Sequence, residues 1–213
     1  MKYSKNEIDK MLCKREVLKL FDILVDAFSK GCYYDLYKLI NDVFITKMNM
    51  YENENIYLPE YMSAVYTYKD LRLLLDINNM STNKLDLRVC VCNPHNDLHN
   101  IGKNILTATM ISLGFQVFEC DSTYDAKEVV NFAIIQKANV IAISAMLLNT
   151  RSFIESVLME LRQKKCRQDV KVFIGGSGVD EEYSQCVKAD FYSKNIVTTA
   201  KKMISCTKTR NEL

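Results

Sequence analysis

From residue 87 onward, short apolar runs alternate with amphipathic helical patterns of about 10 to 15 residues, the spacing that marks βαβ units. Residues 87–92, 115–118, 140–143 and 170–174 read as strands. The run at 140–143 has no polar alternation, as expected of a parallel strand buried on both faces. Between the strands, Ile105, Ala108 and Leu113 fall on one face of a helix that ends at Gly114. Asp125 and Glu128 form a capping box for a helix carrying Val129, Phe132, Ala133 and Ile135. Phe153, Val157 and Leu161 mark a third helix, and residues 195–205 a closing one. A parallel sheet of this kind takes ligands outside the carboxyl ends of its strands. The loops at 94–102, 145–150 and 175–178 all lie at those ends, so they are expected to converge on one rim.

The first 80 or so residues follow a different rule. Val17, Leu20, Phe21, Leu24, Val25 and Phe28 recur at helical spacing, and Gly31 is a stop. Leu36, Leu39, Ile40, Val43, Phe44 and Met48 form a second stripe over 33–49. Pro59 sits where a helix can start, followed by Met62, Val65, Tyr66, Leu71 and Leu74. The expected organisation is a helical domain at 1–82 followed by an α/β domain at 83–213. A net charge of +2 implies no pull toward nucleic acid or membrane. The start of the chain is charged rather than apolar, so no secretory leader is expected. The 8 cysteines are therefore read as reduced cytosolic thiols.

The first rim loop, Asn96-Asp97-Leu98-His99-Asn100-Ile101-Gly102-Lys103-Asn104, holds one of only 2 histidines. Gly102-Lys103 invites comparison with a phosphate loop. That motif needs a glycine at position 97, where this chain has a carboxylate that repels phosphate, and a hydroxyl at position 104, where it has Asn. Zinc is the second candidate, through Cys90, Cys92, His95 and His99. The two cysteines lie two apart in the strand, on one face toward the core, while the histidines lie beyond its end. Both cysteines are read as small buried hydrophobes and His95 as a solvated loop residue. The third reading makes His99 an axial ligand for a metal carried by an organic cofactor, with Asp97 fixing the ring through its other nitrogen.

The segment Asp97-Leu98-His99-Asn100-Ile101-Gly102-Lys103-Asn104 resembles the signature of domains that bind cobalamin base-off, with a protein histidine on cobalt. Ser144-Ala145-Met146 with Thr150 resembles the family's Ser-x-Leu and following hydroxyl. Gly175-Gly176 matches its glycine pair, and Ala189-Asp190 its final turn. Leu58-Pro59-Glu60-Tyr61-Met62 is similar to the start of a helix in the cap of methyl-transferring corrinoid proteins and methionine synthase. Three positions depart from the pattern: Asn96 and Lys188 replace glycines, and Met146 replaces a leucine.

The resemblance implies a Rossmann-like (flavodoxin-like) five-stranded parallel sheet domain preceded by an N-terminal helical bundle cap, with cobalamin held between them. It makes His99 the metal ligand, with Asp97 and Thr150 completing a relay that couples a proton to the methyl state. Thr150 also stands where it can cap the helix after it. Ser144, Gly175 and Gly176 line the slot for the nucleotide tail, Gly102 admits close backbone approach to the corrin or tail, and Met146 is a further cofactor-binding residue. The implied function is a corrinoid methyl carrier cycling between methylcobalamin and cob(I)alamin, a component of a methyltransferase system rather than a complete enzyme. The implied partners are a donor-specific methyltransferase, an acceptor methyltransferase using tetrahydrofolate or a thiol, and a reductive activase. Two alternatives remain open. A cobalamin-dependent sensor calls for a recognition module that the charge pattern does not supply. The small cobalamin subunit of a mutase generally lacks a helical cap.

Overall fold

The computed structural model describes residues 3–77, 80, 85–95 and 97–208; Asn96 and the expected junction at 82/83 lie outside them. Two compact units divide the chain, Met1–Thr82 and Asn83–Leu213.

The first unit is built from α1 (Lys5–Cys13), α2 (Val17–Ser29), α3 (Tyr33–Glu52) and α4 (Leu58–Ile77). α1 was not singled out from the sequence. Its start is a capping box in which the Ser4 hydroxyl accepts from the Glu7 amide and the Glu7 carboxylate accepts from the Ser4 amide. On α2 the buried line is Leu20, Leu24 and Ala27, whereas Val25 and Phe28 of the expected stripe are exposed. The helix therefore presents a narrower inner face than its six apolar positions suggest. Phe44 of α3 stacks on Tyr68 of α4 at a centroid distance of 4.2 Å. Burying such large apolar side chains contributes about 1.5–3 kcal/mol each. Lys47 is also buried, pairing with Asp9 at 3.0 Å and Glu60 at 2.9 Å. Burial opposes its charge, but its hydrogen bonds to Glu60, Asp9 and Cys13 outweigh that effect and hold the ammonium above its usual range.

The second unit alternates β1 (Arg88–Cys92), α5 (Asn100–Ser112), β2 (Gln116–Glu119), α6 (Ala126–Ile135), β3 (Val140–Ser144), α7 (Arg151–Gln163), β4 (Lys171–Gly175), α8 (Glu181–Val187), β5 (Phe191–Tyr192) and α9 (Ile196–Lys208). All strand pairs are parallel, in the order β2-β1-β3-β4-β5. This is the flavodoxin-like winding. The chain leaves β1 toward one side of the sheet and returns to β3 on the other, so the topological switch point lies at the carboxyl ends of β1 and β3.

β3 is buried on both faces, as its unbroken apolar run requires. Ile141 and Ile143 join Cys90, Cys92, Val129 and Val157 on one side, while Val140 and Ala142 join Val89, Leu106, Phe173 and Met203 on the other. Cys90 and Cys92 thus pack as core residues. Hydrogen bonding to Cys120, together with burial, raises both thiols and keeps them protonated. The Asp125–Glu128 capping box is formed. On α6, however, Val130 is buried and Ile135 exposed, a shift in the phase of the buried face. Neither α8 nor β5 was read individually from the sequence. The first is short and acidic, and the second has only 2 residues, too few to show a period. No helix among the described residues is long and apolar enough to cross a membrane.

Lys188, where the resemblance calls for glycine, closes α8 in the left-handed conformation at φ 61°. A side chain with a Cβ is disfavoured there. Lys188→Gly is therefore expected to stabilise the protein by about 0.5–1 kcal/mol. The midpoint of urea unfolding should rise with its slope unchanged.

Candidate functional site

The rim is organised by a buried carboxylate. Beyond β1, His99 occupies the N-cap position of α5. The Asp97 side chain is fully buried. Its Oδ1 accepts from the backbone amide of His99 at 3.0 Å and meets the ring Nδ1 of the same residue at 2.7 Å. Its Oδ2 accepts from the Met146 amide at 3.3 Å, which ties the β1 loop to the β3 loop. An ionised carboxylate only accepts, so Nδ1 is the protonated nitrogen when the ring is neutral. The Nε2 lone pair is then free on a ring whose side chain is 52% exposed. That is the preparation a neutral imidazole needs to bind a metal.

Apolar side chains stand exposed on the same two loops: Leu98 and Ile101 near His99, and Met146, Leu147 and Leu148 after β3. Among them the Met146 backbone is pinned twice, by Asp97 at its amide and by the Ser177 hydroxyl, which donates to its carbonyl at 3.0 Å.

Below the rim lies a cleft of about 140 Å³. Gly102 and Leu106 form one side, Ser144, Gly175 and Gly176 the strand ends, Ala142 and Phe173 the floor, and Ile196 and Thr199 of α9 the far side. Glycine leaves room here, and at Gly176 it is required on steric grounds. A Cβ on Gly102 would come within 2.6 Å of the Ser144 Oγ. One on Gly176, whose φ is +105°, would lie 2.2 Å from the Ala145 carbonyl oxygen. A slot with backbone walls, an apolar floor and this volume suits a flat ring system.

The sequence-derived residues therefore fall into two groups. Gly102, Ser144, Gly175 and Gly176 line the cleft. Asp97, His99 and Met146 form the hydrogen-bonded cluster on the rim. Met146 sits with the buried carboxylate rather than among the cleft residues.

Thr150 departs from the relay that the resemblance implies. Its hydroxyl does not join Asp97; it donates to the Leu147 carbonyl at 2.6 Å. The cause is local: Leu148–Thr150 form a 3₁₀ turn, which brings the hydroxyl onto the carbonyl three residues back. Nor does Thr150 cap α7 through its side chain, although it occupies the N-cap position.

Several residues of the cleft and of the rim were not anticipated. Leu106 and Phe173 read as ordinary core positions, Ser193 follows a strand too short to see, and Asn93 is an isolated polar residue after β1.

A B12 binding domain model matches residues 87–199. The chain belongs to the B12-binding domain family. The matched span runs from the start of β1 into α9 and includes both groups of site residues. The cofactor of this family, cobalamin, suits what the site offers: an imidazole nitrogen held ready by a buried acid, and a cradle that side chains would fill.

Among relatives of this B12-binding chain, dimethylamine corrinoid protein 1 of Methanosarcina mazei is 32% identical over 99 residues, 46% of either chain. The chain thus spans under half the length of that relative. Dimethylamine corrinoid protein 2 of the same organism is 28% identical over 68% of this chain and 69% of its own. Monomethylamine corrinoid protein 2 of Methanosarcina barkeri is 25% identical over 89% and 86%. Two crystal structures share the fold. A cobalamin-binding protein from Desulfitobacterium hafniense DCB-2 has a TM-score of 0.65 at 19% identity over 97% of this chain and 98% of its own. A chain of the methanol:cobalamin methyltransferase complex MtaBC of Methanosarcina barkeri has a TM-score of 0.74 at 22% identity over 93% and 79%.

Gly176→Ala should cost at least about 3 kcal/mol, because the added methyl meets a backbone oxygen in a conformation reserved for glycine. Chemical unfolding of the variant without any ligand checks this.

Proposed function

We propose that the protein is a corrinoid methyl carrier, binding cobalamin base-off with His99 on cobalt and working between two methyltransferases. The observation that carries the reading is the Asp97–His99 pair: a fully buried carboxylate fixes Nδ1 and leaves Nε2 at the rim, beside a glycine-walled cleft. The corrinoid proteins among the relatives support the same class.

In this reading each residue has one task. His99 supplies the axial nitrogen. Asp97 holds the ring's tautomer and its direction, and can share the Nδ1 proton when the ring is released from metal. The Met146 amide holds the second carboxylate oxygen, so Asp97 does not turn away with the ring. Gly102, Ser144, Gly175 and Gly176 receive the nucleotide tail. The exposed Leu98, Ile101, Met146 and Leu147 give the macrocycle an apolar seat that excludes water from the cobalt side. When bound, the corrinoid supplies a cobalt centre that accepts a methyl group and passes it on. A donor-specific methyltransferase delivers that group, an acceptor enzyme using tetrahydrofolate or a thiol removes it, and a reductive activase restores the cofactor after oxidation.

The test is reconstitution with hydroxocobalamin, desalting, and visible spectroscopy of the wild type and His99→Ala. The wild type should retain corrinoid with a spectrum of histidine ligation that His99→Ala lacks. Failure to retain corrinoid, or identical spectra, overturns the reading. Asp97→Asn should lower affinity for the corrinoid by roughly 10–100-fold, the usual cost of losing a ligand's supporting hydrogen bond. Equilibrium titration by fluorescence quenching measures it. Cobinamide, which lacks the nucleotide tail, should bind more weakly than cobalamin.

A further inference from the structure

We propose that Asn93 is the positioning residue for His99, its side-chain amide clamping the chain on both sides of the histidine. The inference rests on the reading of His99 as the cobalt ligand.

Asn93 is the first residue after β1 and is only 3% exposed. Its Nδ2 donates to the Asn100 Oδ1 at 2.9 Å and to the Asp97 carbonyl at 3.1 Å, with the His99 carbonyl farther off at 3.4 Å. Three acceptors around one NH₂ group fix the orientation of the amide, since reversing it would set oxygen against oxygen. The Oδ1 has no hydrogen-bond partner among the described residues. A buried amide that uses only its donors is costly, and an apolar residue of the same size would avoid that cost. Packing therefore does not account for asparagine at this position, whereas its two N–H groups do.

What those N–H groups hold is specific. Asp97 carries the carboxylate that grips the ring, and Asn100 opens α5. The local hydrogen bonds of the loop, from the His99 amide to Asp97 and from the Asn100 amide to the Leu98 carbonyl, shape the turn without attaching it to the sheet. Asn93 anchors the turn to β1, as the Met146 amide anchors Asp97 to β3. Asn93 contacts the histidine only through backbone, so it sets where the ligand stands and takes no part in ligation itself.

The variants that test this are Asn93→Asp, which keeps the shape and removes the donors, Asn93→Leu, and Asn100→Ala, which removes one acceptor. Hydrogen–deuterium exchange of the ligand-free protein reads the loop. Electron paramagnetic resonance after loading with hydroxocobalamin and reduction to cobalt(II) reads the nitrogen splitting from an axial histidine. Both Asn93 variants should exchange the His99 and Asn100 amides roughly tenfold faster, the scale of a lost hydrogen bond. Both should also lose much of the nitrogen splitting while still retaining corrinoid. Asn100→Ala should give a smaller effect, and adding it to Asn93→Leu should change little more. Unchanged exchange and undiminished splitting in folded Asn93→Leu overturn the proposal. If neither Asn93 variant folds, Asn100→Ala decides it by the same two readouts. The underlying ligand reading fails separately, if the wild type holds no corrinoid or if the splitting survives in His99→Ala; exchange in the ligand-free protein then judges the clamp alone.

Discussion

The rim of the α/β unit depends on one buried charge. Isolated in an apolar interior, a carboxylate costs several kcal/mol in lost hydration. Asp97 offsets that cost by accepting from the His99 amide, the His99 ring and the Met146 amide. Each partner is thereby fixed in turn. The histidine can approach its acid only if the loop turns tightly after β1. The Met146 amide can reach the same acid only if β3 ends beside β1, which the winding of the sheet guarantees. The hydrogen bonds that set the direction of the His99 ring are thus formed within the protein itself.

The sheet shows how the two loops are brought together. β1 and β3 are the central pair, in register from Val89 with Val140 to Cys92 with Ile143, and covered on both faces. Their carboxyl ends are therefore held side by side, which brings Asp97 and the Met146 amide within hydrogen-bond reach. The cleft follows from the same arrangement. Where β3 and β4 end together, at Ser144 opposite Gly175, absent side chains leave a slot between the sheet and α9. Similar folds at 19% and 22% identity show that the architecture survives wide change in sequence.

Much of this was legible in the sequence, for identifiable reasons. The strands β1, β3 and β4 announce themselves because burial on both faces forces apolar runs. The capping box at Asp125 and Glu128 is visible because its chemistry is local. The glycines of the cleft stand out in a chain with only 6 of them. What escaped was what depends on distant neighbours. A two-residue strand such as β5 exists because β4 offers it a partner. The phase of α2 and α6, which exposes Phe28 and Ile135, is set by the surfaces they pack on. The family resemblance implies a relay through Thr150, whereas a single 3₁₀ turn directs its hydroxyl to the Leu147 carbonyl. Asn93 carries no motif at all, and its use emerges only from the carbonyls that surround it.

The bonds at Met146 join the three rim loops in series. Asp97 of the first loop holds the Met146 amide of the second, and Ser177 of the third holds the carbonyl of that same residue. Any molecule that grips His99 therefore loads all three at once, and local opening of one requires breaking its link to the next. Such a molecule finds this arrangement only in the folded chain, so by mass action its binding adds directly to the free energy of unfolding. The supply of such a molecule would then enter the equilibrium stability of the folded protein as a term of its own.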